Sequence, residues 1–88
     1  IWYYSEAAFE CDFLYGSENL PENAIQVCYE LTNENREREV RGVVNTCKKF
    51  PNVKPLIITF NQKDKISYDG MIVEVVPATE FFCFNSLR

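Results

Sequence analysis

The sequence predicts an α/β fold built on a mixed β-sheet. Three observations carry this prediction. One amphipathic helix, "TNENREREVRGVVNTCKKF", stands between two apolar runs, "AIQVCYEL" and "VKPLIITF". A strand, a crossover helix and a second apolar strand make a βαβ unit, with parallel strands covered by the helix and a right-handed crossover. Segments with two-residue periodicity flank this unit, "FECDFLYG" before it and "ISYDGMIVEVV" after it, and they supply antiparallel neighbours.

Trp2 to Ser5 is a short aromatic strand. Phe9 to Gly16 alternates, with Phe9, Cys11 and Phe13 on one side and Glu10, Asp12 and Leu14 on the other. Ser17 to Asn23 is a turn cluster around Pro21, so the next strand, Ala24 to Glu30, closes a hairpin through a medium loop. Thr32 or Asn33 caps the helix, because a short side-chain oxygen satisfies an orphan N–H at that end. Val40, Val43, Val44, Cys47 and Phe50 form its apolar stripe. Gly42 lies in its interior, where it allows close packing on the sheet. Lys48 and Lys49 complement the helix dipole, and Pro51 ends the helix. Val53 to Phe60 is a nearly continuous apolar strand. Asp69-Gly70 is a two-residue turn between the strands of a late hairpin. Pro77 breaks the last strand, and "ATEFFCFNSLR" reads as a short apolar C-terminal helix.

Eighty-eight residues make one small domain, here taken as residues 1–88. Seven Phe, five Tyr and one Trp are enough to fill a core of that size. The net charge of −4 argues against a free-standing nucleic-acid binder, which needs clustered Lys and Arg against phosphate. No apolar run reaches the 18 or so residues of a membrane span. The chain opens on Ile1 and at once on strand-like residues, which reads as an excerpt from a longer protein. The four cysteines, Cys11, Cys28, Cys47 and Cys83, are scattered, form no C-x-x-C pair, and have no His beside them, so there is no zinc pattern. Each lies in an apolar segment and is read as a reduced, buried thiol of a cytoplasmic protein.

The apolar sides of the paired strands, with Phe13 on one and Ile25, Val27 and Tyr29 on the other, are expected against the helix. The opposite face then collects Glu10, Asp12, Gln26 and Cys28. On that parity Cys11 and Cys28 point apart, which argues against a disulfide between them. Taken as plain strand residues, Glu10 and Asp12 are a solvent-facing surface, Gln26 is an amide bonded to a neighbouring loop, and Cys28 is a small hydrophobe. Trp2, Tyr3 and Tyr4 read as packing.

An acidic residue on one strand, then a strand carrying acid-x-Lys, then a helix and a buried strand, is the layout of the restriction-endonuclease-like nucleases. More closely, "ECDFLY…IQVCYELTNENREREVRGV…PLIITF…ISYDGMIVEVVPATEFF" resembles the C-terminal nuclease-like domain, of unknown function, found in a family of prokaryotic AAA+ ATPases. The resemblance spans about residues 9 to 82. It implies a restriction-endonuclease-like core from which the N-terminal helix is missing. It also implies an N-terminal ATPase domain as partner, with ATP bound there, since residues 1–88 contain no G-x-x-x-x-G-K-[ST] loop.

By the same resemblance Asp12 matches the metal-binding aspartate and Glu10 the extra acid before it. Gln26 stands where the second acid would be, and Cys28 where the lysine would be. Mg²⁺ requires hard oxygen ligands, and cleavage requires a positive charge near the developing phosphorane. Gln26 supplies only a neutral carbonyl oxygen, and Cys28 supplies no positive charge. The expectation is therefore a degenerate site, with no catalytic residue, with Glu10 and Asp12 as the residual metal ligands, and with a role in recognition or regulation. Two alternatives stay open. One is a live metal-dependent nuclease that recruits Arg36 or Arg38 in place of the lysine. The other is a protein-interaction module presenting the aromatics of "IWYY" and "EFFCF". The bland reading of "RERE" is a solvated helix face with charge pairs.

Overall fold

The computed structural model describes Trp2, Tyr3 and residues 13–17, 20–50 and 52–81. Six strands and one helix follow in the order β1 (Trp2–Tyr3), β2 (Phe13–Ser17), β3 (Leu20–Val27), α1 (Arg36–Cys47), β4 (Lys54–Thr59), β5 (Asp64–Tyr68) and β6 (Met71–Pro77). One helical turn covers residues 78–81. The strands form a single mixed sheet in the order β1-β2-β3-β4-β6-β5. β2 runs antiparallel to both β1 and β3, whereas β3 and β4 are parallel, and so are β4 and β6. β5 closes the far edge antiparallel to β6. The mixed α/β class and the parallel pair joined by a helix follow the sequence expectation.

Local chemistry explains most boundaries. Asp69 (φ 51°) and Gly70 (φ 83°) both take the left-handed region, and Tyr68 pairs with Met71 across them. Two successive positive φ angles define the turn type whose twist suits a tight hairpin. The hydroxyl of Thr32 accepts from the backbone N–H groups of Glu34 and Asn35, and the Arg36 N–H bonds the Thr32 carbonyl at 2.9 Å. Thr32 thus closes the turn before the helix, whose N-cap is Asn35, without a side-chain capping bond, rather than the expected Thr32 or Asn33. Just past the helix end, Lys48 pairs with Asp69 and ties α1 to the hairpin turn.

Two boundaries differ from the sequence reading. The stretch expected as a loop around Pro21 is largely strand, and β3 already begins at Leu20. The register of β2 against β3 shifts between Tyr15 and Gly16, and Pro21 pairs with Gly16 just beyond that irregularity. Such an interruption tolerates a residue without an N–H donor. β3 ends at Val27, although backbone bonds from Cys28 to Ile58 and from Phe60 to Tyr29 continue its contact with the β4 side. The early alternating strand is described from Phe13 onward, and its first four residues lie outside the described set, as does most of the expected C-terminal helix.

The larger correction concerns which side of β3 meets the helix. α1 lays Val40, Val43, Val44 and Cys47 on Leu14, Ala24, Ile57, Val73 and Val75, and Cys28 packs at the margin of this cluster. The face under the helix is therefore the one carrying Ala24, Gln26 and Cys28. Ile25 lies on the opposite face with Leu56 and Ile58, against Tyr15, Val76, Ala78 and Phe81. Both faces of β3 are covered at mid-strand, with Ala24 and Ile25 each fully buried. Val27 and Tyr29, expected to be inner residues, are exposed.

Candidate functional site

The site occupies the C-terminal end of β3, where the chain leaves the sheet and turns into α1. In parallel sheets this is the end at which loops and helix starts converge and ligands bind. Gln26 reaches it as the penultimate residue of β3. Its amide N–H donates to a carboxylate oxygen of Glu39, in the first turn of α1, at 2.8 Å. The Gln26 carbonyl oxygen Oε1 is buried and has no hydrogen-bond partner among the described residues. Sequence reasoning assigned this amide to a loop, whereas its partner is a helix carboxylate.

Cys28 is half-buried two residues further on. Its thiol donates to the Glu30 carbonyl at 3.2 Å, and Asn35 Nδ2 approaches the sulfur at 3.7 Å while bonding the same carbonyl at 3.0 Å. Asn35 Oδ1 in turn accepts from the Thr32 N–H at 2.8 Å. Burial first, and then the negative charge of Glu39, raise the thiol pKa above its ordinary value of 9.0. The group is thus a neutral thiol at neutral pH, set among polar neighbours rather than within a plain apolar core.

The helix contributes the residue that sequence reasoning missed. Glu39 belongs to "RERE", taken as a solvated face, yet only 14% of its side chain is exposed. The signal was available: Glu39 stands four residues before Val43, on the N-terminal extension of the apolar stripe. The two arginines of that motif separate. The Arg38 guanidinium lies 4.0 Å from Glu39, while Arg36 turns toward Asp64 on β5 at 3.9 Å.

The described residues therefore join Gln26, Cys28, Asn35, Glu39 and Arg38 in one neighbourhood. They offer a divalent cation one carboxylate, already bonded to an amide, the neutral carbonyl oxygen of Gln26 and one protonated thiol. Among the described residues no group of three or more His, Cys, Asp or Glu side chains is placed to hold a metal. This set does not fit Mg²⁺, which takes hard oxygen ligands in octahedral array. Glu10 and Asp12, the expected metal ligands, lie outside the described residues.

Comparison with known proteins gives one informative result. The chain is 39% identical over 83 aligned residues to the uncharacterized protein MJ1544 of Methanocaldococcus jannaschii, an alignment covering 88% of this chain and 18% of that protein. The chain thus spans about a fifth of the length of the curated relative it matches. No family model matches the sequence, and no solved structure matches it. Among the described residues no helix is long and apolar enough to cross a membrane.

Proposed function

We propose that this chain is a non-catalytic, nuclease-like accessory domain of a cytoplasmic prokaryotic AAA+ ATPase, acting in recognition or regulation. One observation carries the reading. At the two positions where such a nuclease places an acid and a lysine stand an amide held by Glu39 and a protonated thiol. Neither neutralises phosphorane charge, and the amide bond occupies the one nearby carboxylate. The strand order supports the layout: antiparallel β1, β2 and β3, then α1, then β4 parallel to β3. The right-handed crossover and the restriction-endonuclease-like core belong to this proposal, as does the ATPase domain with its ATP. The test is a nuclease assay on the intact protein with Mg²⁺ or Mn²⁺, using single- and double-stranded DNA. The expected result is no cleavage above that of an Asp12→Ala variant. Robust cutting that Asp12→Ala abolishes overturns it.

A second reading has one observation in its favour. Arg38 lies beside Glu39, so a guanidinium sits near the position from which the lysine is absent. A nuclease with this relocated charge would bind Mn²⁺ in calorimetric titration and lose its activity in Arg38→Ala. Absence of metal binding up to millimolar concentration rejects it.

A further inference from the structure

Tyr29 and Phe60 stand at the C-terminal margin of the two central parallel strands. Backbone bonds hold them side by side: Cys28 N–H donates to the Ile58 carbonyl at 2.9 Å, and Phe60 N–H to the Tyr29 carbonyl at 3.0 Å. Their rings are stacked, with centroids 5.1 Å apart and planes 17° apart. Yet Tyr29 is 72% and Phe60 58% exposed. The loops that follow them are pinned. Gln62 Oε1 accepts from the Leu31 N–H at 2.6 Å, and its Nε2 donates to the Leu31 carbonyl at 3.0 Å. The Gln62 N–H donates to the Thr59 hydroxyl at 2.9 Å. The pair is thus fixed before any partner arrives, which removes much of the ordering cost of binding. Rigid exposed aromatics of this kind are the residues that dominate interface energetics.

The surrounding charge selects the partner. Glu30 follows Tyr29, and Glu34 lies in the next turn; both are exposed. Neither belongs to an ion pair among the described residues, whereas Arg36, Arg38 and Lys63 each face a carboxylate of their own, Asp64, Glu39 and Glu80. Phosphate is repelled by such a rim. An arginine is attracted, and its planar guanidinium stacks on aromatic faces.

We propose that the Tyr29–Phe60 pair, with Glu30 and Glu34, is a docking platform for an arginine-bearing segment of a partner protein. This inference is independent of the nuclease resemblance, and it stands or falls separately from the cleavage assay. Calorimetric titration of the protein with the blocked peptide Gly-Arg-Leu-Arg-Gly tests it, with the glutamate analogue of that peptide and oligothymidylate as comparison probes. The expected result is saturable binding of the arginine peptide alone, weakened at least about tenfold by Phe60→Ser. The Glu30→Gln/Glu34→Gln variant, which alters no apolar packing, is expected to weaken it as well. No saturable heat up to millimolar peptide overturns the proposal, as does binding that ignores both variants. Oligothymidylate binding that depends on Phe60 would instead make the pair a base-stacking surface. A dimer in sedimentation that Phe60→Ser dissociates would make it a self-association surface. Either outcome also overturns the proposal.

Discussion

Ala24 and Gln26 are two residues apart on β3 and face the same helix, but their surroundings are opposite in kind. Ala24 meets the valine stripe of α1 and is fully buried in an apolar cluster. Gln26 lies one helical turn nearer the start of α1, where the helix presents Glu39 and Asn35 instead. The cause is the composition of α1. Its apolar stripe begins at Val40, so the first turn of the helix has only polar groups to lay on the sheet. One crossover therefore builds both a dry core and a polar end. A packing defect should be most costly in the first, and a hydrogen-bond defect in the second.

The largest expected effect breaks the dry half. Ile57 is fully buried between Gln26 on β3 and Val75 on β6, under the helix. Ile57→Ala removes methyl groups where the surrounding strands cannot collapse, and is expected to cost about 2–5 kcal/mol in urea denaturation. A loss below about 1 kcal/mol would mean that the cluster is loosely packed and that the contrast with the polar end is weak.

The next effect belongs to the polar end. Glu39→Ala leaves both polar atoms of the Gln26 amide without a partner in a partly buried place, a loss of about 1–3 kcal/mol. Replacing both residues, as Gln26→Leu/Glu39→Leu, removes the donor, its acceptor and the orphaned Oε1 together. That double variant is expected to be near neutral or stabilising, as matched apolar replacements of buried polar pairs often are. Denaturation of the two single variants and the double variant checks the coupling. Additive losses would show that the 2.8 Å bond has no net worth and that the site is only a wet margin of the core.

The same contrast explains what could be read from the sequence. The Asp69-Gly70 turn, the valine stripe and the apolar run of β4 are local signals, and each produced its element. The faces of β3 were read the wrong way round, because Ile25, Val27 and Tyr29 are the larger apolar residues. In a central strand covered on both sides at mid-length, alternation does not identify the helix face. Ala24, small and fully buried, is what the close approach of α1 requires, while Tyr29 lies beyond the reach of either cluster. Gln26 and Cys28, expected to share a face, do so, on the side under the helix. The carboxylate that answers them comes from 13 residues away on a helix, and no strand pattern could indicate it.

The smallest expected effect is chemical and compares two thiols under one helix. Cys47 is 4% exposed in the dry cluster, so alkylation there waits for local opening. Cys28, half-buried at the polar end, is expected to react faster, but more slowly than an open thiol, because burial and then Glu39 raise its pKa and deplete the thiolate. Glu39→Gln removes the second of these causes. Its expected effect at pH 8 is a rise in the Cys28 alkylation rate of less than about tenfold, since tenfold would need a full pKa unit. Site-resolved mass spectrometry of iodoacetamide-treated protein reads both thiols at once. The sign extends to stability. A thiol whose pKa is raised on folding contributes stability that is complete below its unfolded pKa and is lost as pH rises through the folded value. Cys28→Ser should therefore flatten the alkaline limb of the stability profile from about pH 9 upward and leave neutral pH untouched. An unchanged Cys28 rate in Glu39→Gln would place the carboxylate too far from the sulfur to act on it, and would reduce the polar end to the Gln26–Glu39 bond alone.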